Sequence, residues 1–231
     1  MTLVGGDNPP SFAMVNVAAI VPAYNEAQTI KEVVRVLRVS SLLSEVIVVS
    51  DGSTDMTASY ARESGATVYE LPHNRGKGGA MRYGVTKTKA EIIIFFDADL
   101  IGLTVEHIEQ LVRPVLEGSL AMCVGLRDRG VWFRILGPRL PLISGERAMK
   151  REVIEQIPER FLRRFMVEAS INYFCRTRAY AYGTVFLSSL TIRRKCQKVG
   201  ILHGVKGYLL MIGQIIFAMV TVRLARIFHQ F

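Results

Sequence analysis

The stretch Glu91-Ile92-Ile93-Ile94-Phe95-Phe96-Asp97-Ala98-Asp99 limits the fold more than any other part of the chain. Its β-branched and aromatic residues leave no alternating polar face, the pattern of a strand buried on both sides of a parallel sheet. Two carboxylates then follow, one residue apart. A buried strand tolerates acids only where it leaves the sheet, and open α/β sheets bind ligands outside those carboxyl ends. At i and i+2 the Asp97 and Asp99 side chains point the same way, so they can share a hard cation and the phosphates it carries. An acidic turn would contain the same two residues, so the pair needs support from elsewhere in the chain.

That support comes from repetition. Val15–Pro22 reads as a buried strand followed by Tyr24-Asn25-Glu26 and an amphipathic helix bearing Ile30, Val33, Val34, Leu37 and Arg38. Glu45–Ser50 is a second strand. It ends in Asp51-Gly52-Ser53-Thr54-Asp55, which offers caps for a helix through Ser64, with Gly65 as its stop. Thr67–Leu71 is a third, leading through His73-Asn74-Arg75-Gly76-Lys77-Gly78-Gly79 into a helix to about Lys89. This cadence predicts an α/β fold: βαβ units, right-handed crossovers and a mostly parallel, Rossmann-like central sheet flanked by helices. The polar turns all follow strands, so they gather along one sheet edge. Further on, Thr104 caps a helix to Glu117 and Ser119–Leu126 is another strand. Ser144-Gly145-Glu146-Arg147 opens a helix ending before Pro158, Val167–Arg178 is helical, and Gly183–Leu190 is a strand.

The 231 residues, 50% of them hydrophobic, suffice for one domain with a substantial core plus an appendage. Cys123, Cys175 and Cys196 form no C-x-x-C pair, which argues against a disulfide framework or zinc site and fits a reducing compartment. Residues 1–14 read as a flexible leader without the pattern of a signal peptide. Charge divides the chain. Residues 1–115 hold ten basic and thirteen acidic side chains, residues 116–231 nineteen and seven, and no acid follows Glu168. Such a half expects an anionic partner, either lipid or nucleic acid. No helix-turn-helix, zinc or RNP motif is present to read bases, so no nucleic-acid partner is expected. The first strand lacks the G-x-G-x-x-G of dinucleotide-binding enzymes.

The motifs Ile20-Val21-Pro22-Ala23-Tyr24-Asn25-Glu26, Val48-Val49-Ser50-Asp51-Gly52-Ser53-Thr54-Asp55, Asn74-Arg75-Gly76-Lys77-Gly78-Gly79-Ala80 and Phe96-Asp97-Ala98-Asp99 resemble those of family 2 glycosyltransferases of the GT-A fold. The resemblance covers roughly the first 126 residues. It implies transfer of a sugar from a nucleoside diphosphate donor with inversion at the anomeric carbon. By it, Pro22, Tyr24, Asn25 and Glu26 line the nucleobase and ribose pocket. Asp51 accepts from a base N–H, most simply that of uracil, and Arg75, Gly76 and Lys77 approach base or diphosphate. Asp97 and Ala98 face the ribose and metal side. Asp99 ligates Mg²⁺ or Mn²⁺, which neutralises the departing diphosphate. Ile143-Ser144-Gly145-Glu146-Arg147-Ala148 and Phe165–Asn172 are similar to a subset acting on polyprenyl phosphates or phosphoglycerate. There Gly145, Glu146 and Arg147 contact donor sugar or acceptor, Glu146 stands where glutamine is expected, and Glu168 is the candidate general base. His203 is a candidate third metal ligand, with Lys206 beside the diphosphate.

A phosphate acceptor is already ionised and needs positioning by cations more than a base; Arg127, Arg129, Arg134, Arg139, Arg163 and Arg164 offer that. Residues 207–222 carry no charge, and their sixteen residues span about 24 Å, short of the roughly 30 Å hydrocarbon core. Flanked by cations, they suit a helix lying in an anionic membrane interface, a dimer-forming helix, or a core helix. The resulting expectation is a leader (1–14), a nucleotide-sugar half (15–126), an acceptor half (127–200) and a basic, apolar helical appendage (201–231). The enzyme would sit in the cytoplasm, peripheral to the inner membrane face, with a phosphorylated and lipid-linked acceptor. The alternative is the same donor chemistry on a soluble hydroxyl acceptor, and a distant one is a basic nucleic-acid-binding protein without catalysis.

Overall fold

The computed structural model describes residues 15–127, 144–162 and 166–193. Its first half follows the expected cadence: β1 (Val17–Ala23), α1 (Ile30–Val39), β2 (Glu45–Ser50), α2 (Thr57–Glu63), β3 (Thr67–Glu70), α3 (Lys77–Val85) and β4 (Ile92–Phe95). Then come the short β5 (Leu100–Ile101), α4 (Val105–Leu116), β6 (Met122–Arg127), β7 (Arg147–Lys150), α5 (Arg151–Glu155) and a 3-10 turn (Glu159–Phe161). The described chain ends with α6 (Met166–Thr177), β8 (Tyr182–Leu187) and β9 (Thr191–Ile192). Seven strands form one sheet in the order β3-β2-β1-β4-β7-β6-β8, and β5 pairs with β9 in a two-stranded ribbon.

The sheet is mostly parallel, with β7 running antiparallel to both of its neighbours. Alternation along each strand sends side chains to two cores. Ala18 and Ile20 of β1 join Met81, Phe95 and the α3 and α6 side. Val17, Ala19 and Val21 join the buried faces of α1 and α4 on the other. Every residue of β4 is buried, as a central strand covered by helices on both faces requires. Pro22 is tolerated inside β1 because of where its missing N–H faces. Ile20 accepts from the Phe96 amide on the β4 side; two residues on, Pro22 faces that same side, beyond the last β1–β4 pair at Ile20 and Phe95.

Two expectations are corrected. Arg147–Lys150 is a strand, with a helix only from Arg151; β7 is wedged between β4 and β6 and takes its conformation from both ladders. Also, β4 stops at Phe95 and Asp97–Asp99 lies in a turn, so strand alternation does not set the directions of the two carboxylates. Because β7 and β8 join the sheet begun by β1–β4, the two halves share one framework. Residues 1–14 and 201–231 lie outside the described residues.

Candidate active site

The loops that follow β1 and β2 are stitched together at the carboxyl edge of the sheet. The Asn25 amide donates to Ser53 Oγ at 3.2 Å, and Asn25 Oδ1 accepts from the Thr54 amide at 2.9 Å. Asn25 has φ 54°, in the left-handed region where asparagine is enriched. The Glu26 amide donates to Thr57 Oγ1 at 2.8 Å, and Ala27 to Asp55. Asn25 and Glu26 thus hold the two loops together, while Tyr24 stands 49% exposed beside partly buried Pro22. Asp51 is buried and Oδ1 accepts from the Arg75 amide at 2.7 Å, bringing the third loop to the second. Burial pushes the Asp51 carboxyl up, against the lowering effect of the Arg75 and Gly76 amides. Gly76 leads into α3 at φ 78°, a conformation that suits glycine.

The first residue of α3 joins two carboxylates from distant parts of the chain. Lys77 Nζ lies 2.7 Å from Asp97 Oδ1 and 2.6 Å from Glu168 Oε1 on α6, so one ammonium is shared by two carboxylates 71 residues apart in sequence. Burial works against the Lys77 charge, but Asp97 and Glu168 more than offset it and raise its pKa. Asp97 is likewise resisted by burial, and Lys77 then holds its carboxyl below the ordinary range. Around them the backbone is pinned. Thr29 Oγ1 donates to the Ala98 carbonyl at 2.7 Å, and the Arg193 amide donates to the Asp99 carbonyl at 3.0 Å. Thr29 was not legible as a site residue, since a threonine before a helix reads only as a cap.

The turn before β7 closes the site from behind. Any Cβ on Gly145 would collide with the Asp97 carboxyl, so only glycine lets the turn approach. Arg147 is wholly buried and donates to the Ser144 carbonyl through Nε (3.2 Å) and Nη2, to the Glu168 carbonyl at 3.5 Å and to Asn172 Oδ1 at 3.3 Å. It therefore fixes the start of α6, and with it Glu168. Glu146 is also buried, with Ser144 Oγ donating to Oε2 at 2.6 Å and Arg127 Nε at 3.5 Å. Of the arginines expected near a phosphate, Arg127 is buried against Glu146; Arg129, Arg134, Arg139, Arg163 and Arg164 lie outside the described residues, as do His203 and Lys206.

The model of the family described as glycosyl transferase family 2 matches residues 18–180. The chain belongs to this family. Within it, the chain is 30% identical over 181 residues to the glycosyltransferase AglD of Haloferax volcanii, covering 73% of this chain and 27% of that protein. It is 39% identical over 109 residues to the dolichyl-phosphate β-glucosyltransferase of Drosophila melanogaster, covering 40% and 32%. The crystal structure of glucosyl-3-phosphoglycerate synthase from Mycobacterium tuberculosis with Mn²⁺, UDP and glucosyl-3-phosphoglycerate superposes with a TM-score of 0.74 at 26% identity, over 93% of this chain and 85% of that one. The same synthase has been solved with Mg²⁺ and UDP. The chain spans about a third or less of the length of AglD and the dolichyl-phosphate enzyme.

For a family 2 glycosyltransferase the remaining question is whether this edge suits a divalent cation. Asp99, partly exposed at the edge, supplies the hard carboxylate oxygen that Mg²⁺ and Mn²⁺ take. Asp97 is committed to Lys77. Among the described residues no group of three or more metal-ligating side chains gathers, so a diphosphate would have to complete the shell. The donor type fits such an ion, and Asp99 is the residue that would hold it. A separate cavity of about 510 Å³, lined by Arg75, Arg82, Tyr83, Thr86 and Glu159 among others, opens beside α3 and includes none of the site carboxylates.

Proposed function

We propose that the chain transfers a sugar from a UDP-sugar to a phosphorylated, lipid-linked acceptor, with inversion at the anomeric carbon. It would work as a peripheral protein at the cytoplasmic face of the membrane, as a monomer or homodimer. The observation that carries this reading is the Lys77 ammonium shared between Asp97 and Glu168 at the carboxyl edge. That arrangement sets hydrogen-bond acceptors for sugar hydroxyls and a fixed positive charge side by side, in a partly water-excluded place where electrostatic preorganisation is strongest. Asp51 with the Arg75 loop and the Asn25–Thr54 stitch form the nucleoside end; Asp99, with His203, would hold Mg²⁺ or Mn²⁺. The ion, when bound, supplies Lewis-acid neutralisation of the departing diphosphate. Arg147 keeps Glu168 in position through α6, and Gly145 keeps the floor close to Asp97.

The state of Glu168 favours a phosphate acceptor. Its Oε1 holds the Lys77 ammonium at 2.6 Å, a fixed cation of the kind that positions an already ionised phosphate. A phosphate oxygen is ionised already and can attack the anomeric carbon as the bond to the diphosphate breaks and its electrons pass to the leaving oxygen. The dolichyl-phosphate relative supports this class. A hydroxyl acceptor is the second reading, supported by the synthase structures that hold phosphoglyceric acid with UDP-glucose and Mn²⁺. Radiolabelled UDP-glucose with Mn²⁺ should be offered to polyprenyl phosphate and 3-phosphoglycerate in parallel. Label extracted into organic solvent, with NMR showing the opposite anomer from the donor, is expected. Label only in the water-soluble phosphoglycerate product would favour the second reading, and retained configuration would remove the inverting assignment. Neither product, with no thermal stabilisation by UDP and Mn²⁺, would defeat both.

A further inference from the structure

Three carboxylates and three cations meet at this site: Asp97, Glu146 and Glu168 with Lys77, Arg127 and Arg147. Lys77 is divided between Asp97 and Glu168. Arg147 donates to the carbonyls of Ser144 and Glu168 and to Asn172 Oδ1. Arg127 meets Glu146 through Nε at 3.5 Å, and its buried Nη1 has no partner among the described residues. Glu146 is out of water altogether; Ser144 Oγ occupies Oε2, and Oε1 has no hydrogen-bond partner among the described residues. An ionised carboxylate in this setting would keep lone pairs unfilled with no solvent to fill them. A proton removes the charge and, carried on Oε2, has an acceptor in Ser144 Oγ at 2.6 Å once that hydroxyl turns.

We propose that Glu146 works as a neutral carboxylic acid, the isostere of a glutamine, and so leaves the buried cluster with one positive charge in excess to attract a phosphate-bearing substrate. It is a positioning residue, acting through Asp97 and Arg127. The inference rests on reading the site as one for sugar nucleotides. Burial raises the Glu146 carboxyl above its ordinary range and the Asp97 charge raises it further, while Arg127, the Ser144 hydroxyl and Lys77 oppose them. The charged and titratable groups around it are Lys77 from α3, Asp97 beyond β4, Arg127 at the end of β6 and Arg147 next to it, with Glu168 of α6 reached through Lys77. The Gly125 amide of β6 donates to the Glu146 carbonyl at 2.8 Å, which fixes the backbone from which the carboxyl projects.

Infrared difference spectroscopy on the full chain at neutral pH should show the carbonyl stretch of a protonated carboxyl, lost in E146Q and kept in E152Q, a change at an exposed acid. Calorimetric affinity for UDP with Mn²⁺ should fall about tenfold as alkaline pH removes that proton, and E146Q should lack this fall. If E146Q does not fold, the native spectrum alone decides: no protonated-carboxyl band at neutral pH overturns the proposal. An alkaline fall that persists in a folded E146Q overturns it as well. A band present without UDP binding at any pH upholds the neutral acid and defeats the sugar-nucleotide reading.

Discussion

At the scale of single residues, the site depends on one shared charge and one missing side chain. Replacing Lys77 with methionine leaves Asp97 and Glu168 facing each other in a largely buried place, an uncompensated arrangement that costs about 3–5 kcal/mol. The pH dependence has a definite sign. Asp97 is held below its ordinary 3.8, so its contribution is present above that range and lost as pH falls through its native value. Lys77 is held above 10.5, so its contribution is present below that value and lost only as pH rises through its native one. Denaturant unfolding of the native chain and K77M should therefore differ most between these limits, and the gap should shrink on going to about pH 4 or below. A gap of constant size would show that the ion pair is not what the lysine contributes. Gly145→Ala tests the missing side chain: its Cβ would push the Asp97 carboxyl off Lys77. Affinity for UDP with Mn²⁺ should drop at least tenfold while far-UV circular dichroism stays native, and unchanged affinity would remove the turn from the site.

At the scale of elements, α3 and the 3-10 turn before α6 must touch for Lys77 and Glu168 to meet. A Cβ on Gly78 would run into the Leu162 carbonyl, a backbone group that cannot step aside. Gly118, at φ 77° after α4, has open space around it. Gly118→Ala should thus cost only about 1 kcal/mol of backbone strain, whereas Gly78→Ala should cost several, in the overpacking range or above; thermal melts of equal depth would show that the helix contact is soft. These contacts mark where sequence reasoning stops. The strands β1 to β4 were legible because apolar runs, turn residues and helical spacing repeat at short range. β7 was not, because Arg147-Ala148-Met149-Lys150 has no β-branched residue and local propensity points to helix; the ladders to Ile92–Phe95 and Met122–Val124 override it. Lys77, Asp97 and Glu168 could each be named from motifs, but their shared ion pair could not. It exists only once α6 is anchored by Arg147, an arginine buried inside a strand.

At the scale of the whole molecule, charge is segregated along the chain while the fold is not, since both halves contribute strands to one sheet. No helix among the described residues is long and apolar enough to cross a membrane. Beyond the described residues, 194–231 hold the basic and apolar run expected to meet a membrane surface. Two forces would act there with different salt responses. Lys and Arg near an anionic surface contribute about 1 kcal/mol each and are screened over about 10 Å at 0.1 M salt. Apolar burial of residues 207–222 would resist salt, and added sulfate would strengthen it. Cosedimentation with phosphatidylglycerol vesicles should show nearly complete binding at low ionic strength and partial retention at 1 M salt. Deleting residues 207–231 should abolish the retained fraction and leave a salt-sensitive one, because Arg176, Arg178, Arg193, Arg194, Lys195, Lys198 and Lys206 remain. Equal binding to neutral phosphatidylcholine vesicles would remove the electrostatic component. Retention at 1 M salt that survives the deletion would place the apolar contact elsewhere, and loss of a dimer on gel filtration after the same deletion would assign the segment to self-association instead.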